Sequence, residues 1–287
     1  MTILNKPELT ENRIDDIRTV IEQNPDANRT KLSQIICKQW GWQTPKGQAK
    51  DIACRDMLRA LDKAGVIVLP APQKAPVRRG PILHLAHEMA PIECRLKELL
   101  PLDVQIADDK NTITEFKSFI DQFHYLGFNR TVGENLKYIV RSSNGNIVSC
   151  LLFGSAAWAC RARDSHIGWD KKRRSESLHL LTNNVRFLIP QWVRVPYLAS
   201  HVLSIVMRRI SEDWSIAYGH PLLAVETFVD TSRFRGVCYR SANWIYVGRT
   251  TGRGRNGGHH NAVVPEKDIY LYPLDKEYCR KLRGDVQ

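Results

Sequence analysis

What this chain lacks narrows it first. It contains no run of about 18 apolar residues, the length that marks a membrane-spanning helix, so no membrane partner is expected. The N-terminus, Met1-Thr-Ile-Leu-Asn-Lys-Pro-Glu8, carries no apolar signal-peptide core. The seven cysteines, at 37, 54, 94, 150, 160, 238 and 279, are odd in number and scattered, and no Cys-x-x-Cys pair occurs. Neither a disulfide framework nor a structural zinc site is supported, and a reducing cytoplasmic setting is expected. No internal repeat or low-complexity tract is present.

Negative charge is missing from one stretch: residues 231 to 265 hold six arginines and no Asp or Glu. Over all 287 residues, 42 Lys and Arg stand against 30 Asp and Glu, a net charge of +12. Such a surplus suits a polyanionic partner, because each cation seated on a phosphate releases counterions. The length suggests two domains, and 43% hydrophobic with 25% charged residues leaves both ordinary and globular.

Residues 1–70 carry the spacing of three helices and a strand. Thr10 can cap a helix over 9–24, with Ile14, Ile17, Val20 and Ile21 on one face. A second helix follows Asn28, with Leu32, Ile35, Ile36 and Trp40 inward. A third runs over 50–64, with Ile52, Met57, Leu58 and Leu61 inward, and stops at Gly65. Val66-Ile-Val-Leu69 reads as a short strand closed by Pro70. This is a winged helix-turn-helix pattern. Arg29, Lys31, Lys46, Lys50 and Arg55 fall at helix starts and flanks, where such domains touch duplex DNA. The same unit with a merely solvated basic face would be a protein-docking module.

Residues 71–110 read as a proline-rich linker with a short helix at 92–99. A second domain, 111–287, opens with an amphipathic helix over 112–123, for which Gly127 stands as the cap. A hairpin comes next, 138–153 about Ser143-Asn-Gly-Asn146, then a strand at 186–189. Pro196 to Trp214 is a helix with proline in its first turn, 222–229 a strand, and 244–247 a last strand. That order is similar to an N-acetyltransferase-like (GNAT) α/β domain. The sheet order is not readable from periodicity.

Three kinds of chemistry are open to this domain. Alternation puts Glu226, Phe228 and Asp230 on one strand face, and Glu226 and Asp230 with Asp164 would suit magnesium or manganese in phosphodiester chemistry. Tyr239 is the alternative covalent nucleophile, with Cys238 beside it. The plainer alternative pairs Glu226 and Asp230 with arginines such as Arg163 or Arg186. For acyl transfer, Tyr239 stands where a general acid often sits, but Arg194-Val-Pro-Tyr-Leu-Ala-Ser200 has no glycine to cradle a pyrophosphate, so acetyl-CoA is not expected. The third needs no catalysis. Arg161, Arg163 and the run Lys171-Lys-Arg-Arg174, interleaved with Trp158 and Trp169, suit phosphates and stacked bases, as do Arg186 and the glycine-rich Arg249, Arg253 and Arg255. Core tryptophans and a solvated charged face are the alternatives. His259-His260 make a poor metal site.

Long blocks carry a family likeness: Trp40-Gly-Trp42, Gly47-Gln-Ala-Lys-Asp51, Gly65-Val-Ile-Val-Leu-Pro70, His124-Tyr-Leu-Gly127, Arg163-Asp164, Ile167-Gly-Trp169, Asn183-Asn184 and Glu226 to Arg255. On these the chain resembles the DruA family of Druantia anti-phage systems, whose members also occur linked to transposase-like proteins of mobile elements. The resemblance implies a role in anti-phage defence or mobile DNA, with DNA (duplex, single-stranded or branched) and other defence or transposition proteins as partners. It supplies no reaction.

Overall fold

A computed structural model describes residues 7, 9–43, 49–71, 81–129, 131–252 and 265–285. Lys46, Arg253, Arg255 and His259-His260 lie outside the described residues. The chain divides into two compact units, Met1–Gly80 and Pro81–Gln287.

The first unit is built from α1 (Glu11–Glu22), α2 (Arg29–Gln39) and α3 (Asp51–Lys63). Ile17, Leu32, Ile36, Cys37, Trp42 and Leu58 close its core, while Ile52, expected inward, is exposed. The strand expected at 66–69 does not form, and no wing is seen among the described residues. Its backbone donors turn back onto α3 instead of pairing with a neighbour: Val66 N–H reaches Leu61 O at 3.0 Å and Leu69 N–H reaches the Asp62 carboxylate at 3.0 Å. The described β pairing of this unit is a single antiparallel bridge between Gln43 and Ala49.

The second unit is mixed α/β around one seven-stranded sheet. In chain order it runs α4 (Leu96–Leu99), β1 (Asp103–Ile106), α5 (Lys110–Phe123), β2 (Asn135–Arg141), β3 (Ile147–Ser155), α6 (Arg161–Ile167) and α7 (Lys171–Ser177). It continues with β4 (Leu181–Leu188), α8 (Leu198–Tyr218), β5 (Ala224–Asp230), α9 (Val237–Ser241), β6 (Ile245–Arg249), β7 (Lys267–Pro273) and α10 (Tyr278–Arg283). Strands lie in the order β1-β2-β3-β4-β5-β7-β6, antiparallel throughout except β4 with β5. The segment 81–95, expected as part of a linker, is tied down: His84 bonds Asp121 at 2.7 Å, Leu85 N–H the Ser118 hydroxyl at 2.8 Å, and Ile92 pairs with Val193.

Side-chain alternation gives each sheet face its cover. α8 lays Val202, Leu203, Val206, Ile210 and Trp214 against Tyr138, Leu151, Phe153, Val225 and Val229. Each such aliphatic burial stabilises by about 1.5–3 kcal/mol. α8 starts at Leu198, past the proline expected in its first turn, with Tyr197 as N-cap. On the opposite face α5 sets Phe116, Phe119 and Ile120 on Ile139, Cys150 and Leu152, while Ile167 of α6 and Tyr278 and Leu282 of α10 cover Leu181, Ala224 and Leu271.

Two irregularities mark the carboxyl-terminal half of β4. Phe153 pairs with Asn184 but Leu152 with Arg186, so Val185 is the extra residue of a bulge. Asn184 and Phe187 therefore share the α8 face, and Arg186 points to the α5 face. Pairing with β5 stops at Asn184 and Thr227, although β4 continues to Leu188 and β5 to Asp230. The two parallel strands part at their carboxyl ends.

Candidate functional site

Under α6 sits a buried ionic hub. Arg163, fully buried, donates from Nη1 to Glu226 Oε2 at 2.8 Å and to Ala157 O at 2.8 Å. Its Nε and Nη2 both reach Asp164 Oδ1, at 2.9 and 2.8 Å. The other Asp164 oxygen accepts from Arg174 Nη1 at 2.9 Å, and Trp169 Nε1 adds a bond of 2.9 Å to Oδ1. Glu226 Oε1 takes the Ala157 N–H at 2.6 Å. Burial pushes the Glu226 carboxyl up, against the pull of Arg163. Asp164 is lowered: burial works against it, but Arg163, Trp169 and the Cys160 N–H together outweigh that cost.

The expected carboxylate trio is therefore divided. Asp164 and Glu226 meet through Arg163; the plainer alternative foresaw an arginine for Glu226 but not for Asp164. Asp230 instead accepts from Ser232, N–H at 3.0 Å and hydroxyl at 2.6 Å. Among the described residues no group of three or more His, Cys, Asp or Glu side chains is placed to hold a metal ion.

Beside the hub opens a cavity of about 540 Å3 whose walls include Arg161, Asp164, Ser165, Trp169 and Arg174. Trp169 is buried, as packing predicts. Trp158 is not: it is 66% exposed, and the Arg174 guanidinium lies 5.9 Å from its ring centre. Lys171, Lys172 and Arg161 are exposed nearby in sequence on α6 and α7.

Where β4 and β5 part, Tyr239 reaches in from α9. Its hydroxyl donates to Asn184 Oδ1 at 2.8 Å, and its ring packs on Phe187 and Trp244. Burial pushes its pKa far up. It stands as a neutral buried phenol holding Asn184. The Cys238 thiol is likewise raised by burial. Arg186 donates to Gly127 O at 3.0 Å, just past α5, whose cap is His124 rather than Gly127. Tyr125, Arg233 and Phe234 gather beside it. Sequence reasoning gave no role to Arg233 or Phe234. The available signal was the polar run Thr182-Asn183-Asn184 with Arg186 inside a buried strand.

Of the remaining expected contacts, Arg29, Arg55 and Arg249 are tied up locally. Arg29 bonds Pro70 O at 2.8 Å and pairs with Asp62 at 3.6 Å, and Arg55 pairs with Asp51 at 3.2 Å. Lys31 is exposed in the first turn of α2, and Lys50 flanks the start of α3. Arg249 pairs with Asp268 at 2.8 Å.

His124 supplies a pH test. Burial, with Arg186 beside it, lowers its imidazole from 6.5 to about 4, and Nδ1 accepts the Leu126 N–H at 3.2 Å. The unfolded chain thus takes up this proton first, so stability is full above about pH 6.5 and falls as the pH drops through 4. In urea titrations the loss between pH 7 and 4.5 should be about 2 kcal/mol smaller in His124→Gln than in the wild type.

The model of the family Druantia protein DruA matches residues 72–265, more than half of the chain and inclusive of the hub and the parted strands. The chain belongs to the DruA family. Among curated proteins none matches this DruA-family chain. Among solved structures it is similar to spermidine N-acetyltransferase from Vibrio cholerae in complex with CoA and spermine, at 7% identity and TM-score 0.41, over 62% of this chain and 97% of that one. Another is spermidine/spermine N-acetyltransferase from Vibrio cholerae in complex with manganese ions, at 8% identity and TM-score 0.39, over 63% and 96%. No helix among the described residues of this DruA-family chain is long and apolar enough to cross a membrane.

Proposed function

We propose that this DruA-family chain binds DNA as part of a Druantia-type defence against phage. The observation that carries this reading is the α6–α7 face: an exposed Trp158 with a guanidinium over its ring, beside a cavity walled by Arg161, Arg174 and Trp169. Beyond the contact with Arg174, the exposed indole has no packing role in the free protein that needs so large a ring. It offers a stacking surface to an unpaired base, while the flanking Arg161, Lys171 and Lys172 suit the phosphates on either side. The hub behind them cancels its own charges and holds α6 in place, so the exposed cations point outward from a fixed frame.

The test is a gel shift of the full chain with duplex, single-stranded and branched DNA over a salt series. Trp158→Ala should weaken single-strand binding by about 5- to 150-fold. Arg161→Ala/Lys171→Ala/Lys172→Ala should weaken all substrates and flatten the salt dependence. Unchanged affinity in both variants would reject this face as the interface. The same reactions with magnesium or manganese report strand cleavage, the outcome that would move the chain into phosphodiester chemistry.

A further inference from the structure

At the carboxyl ends of β4 and β5 stands a buried cation that makes no ion pair among the described residues. Arg186 is 8% exposed. Its Nε reaches Gly127 O and its Nη1 reaches Val185 O at 2.9 Å, both neutral carbonyls, and Nη2 makes no hydrogen bond among the described residues. Desolvation pulls its pKa down, and the one opposing influence is the Tyr125 phenol, not a carboxylate. A charge removed from water and left uncompensated is costly unless a counter-charge arrives.

The surroundings say which counter-charge fits. The Arg233 guanidinium lies 4.6 Å from the ring centre of Tyr125. Tyr125 and Phe234 are 41% and 51% exposed, with ring centres 5.5 Å apart. Asp230, the acid of this corner, is already bonded to Ser232 and faced by Lys267 and Arg233. Arg186, Arg233 and Lys267 thus outnumber Asp230. Exposed aromatic rings beside surplus guanidinium groups suit a ligand with a flat ring and an anionic tail. The place itself, where parallel strands diverge at their carboxyl ends, is where open α/β sheets receive ligands.

We propose that the parted ends of β4 and β5 form a site for a nucleotide 5′-phosphate, with Arg186 and Arg233 on the phosphate and Tyr125 and Phe234 against the base. It rests on the DNA-binding reading for its preferred source, which makes the ligand the phosphorylated 5′ end of a strand. A free mononucleotide has the same chemistry.

The test compares a fluorescent oligonucleotide with and without a 5′-phosphate, and dTMP with thymidine, on the full chain by anisotropy and calorimetry. The 5′-phosphate should tighten binding about tenfold, as one charge-assisted contact allows. Arg233→Gln/Tyr125→Ala, which alters exposed side chains, should abolish that difference, whereas Trp158→Ala should weaken both oligonucleotides and keep it. Arg186→Met should do the same if it folds. If no oligonucleotide binds but dTMP still outbinds thymidine, the site stands with a mononucleotide as its ligand and the DNA reading fails. Equal binding of the phosphorylated and unphosphorylated members of both pairs would overturn the site.

Discussion

Arg163→Ala should destabilise the second unit by about 3–5 kcal/mol, the range for breaking a buried ion pair from one side. The guanidinium is enclosed and serves two carboxylates at once. Without it Glu226, fully buried, keeps only the Ala157 N–H, and the Ala157 carbonyl loses its donor as well. Asp164 suffers less, since Arg174 and Trp169 still hold it. Glu226→Ala should therefore cost less than Arg163→Ala, because Arg163 retains Asp164. Arg163→Met/Glu226→Met removes both charges and fills their volume, so it should recover most of the loss. Urea unfolding of the four proteins decides it. A loss under about 1 kcal/mol in Arg163→Ala would mean that water reaches the hub, which the enclosed geometry forbids.

Gly236→Ala should cost about 2–5 kcal/mol through two separate effects. Gly236 has φ +64, a left-handed conformation that costs an L-residue about 1–2 kcal/mol. A Cβ there would also lie 2.6 Å from the Tyr270 hydroxyl and 2.9 Å from its ring carbons. Relieving that overlap displaces a buried ring that stacks on Tyr239 at 5.9 Å, and such overpacking costs about 1–3 kcal/mol. Tyr239 would shift with it and release Asn184. Thermal unfolding reads the stability. Loss of 5′-phosphate discrimination, with binding of unphosphorylated DNA intact, would show that α9 orders the strand ends.

The helices were legible because periodicity records burial. α1, α2, α3, α5 and α8 all present apolar residues at helical spacing, and the observed elements keep those faces except at Ile52 of α3. The strand at 66–69 misled because four apolar residues in a row look the same whether they meet a ladder or fold back onto a helix. α6 and α7 carry too few apolar residues to show a period; their place is set by the ionic hub, and charge pairing across 63 residues of sequence leaves no local mark. Arg163 and Glu226 both stand out in the sequence, and their pairing is one of its open alternatives, but only the fold brings them to 2.8 Å. The corner at Tyr125, Arg186 and Arg233 depends on a bulge and on strands that part, and neither has a spacing signature here.

That bulge has a consequence for sequence length. In a regular ladder Val185 would oppose Leu152, and Arg186 would fall opposite Leu151, facing the hydrocarbon under α8. Because Val185 occupies a place of its own, Arg186 meets Leu152 and keeps to the other side. Deleting a residue inside a strand ordinarily reverses every side chain beyond it. Here the strand holds one spare position, and losing it would leave Arg186, Phe187 and Leu188 on the faces they already occupy.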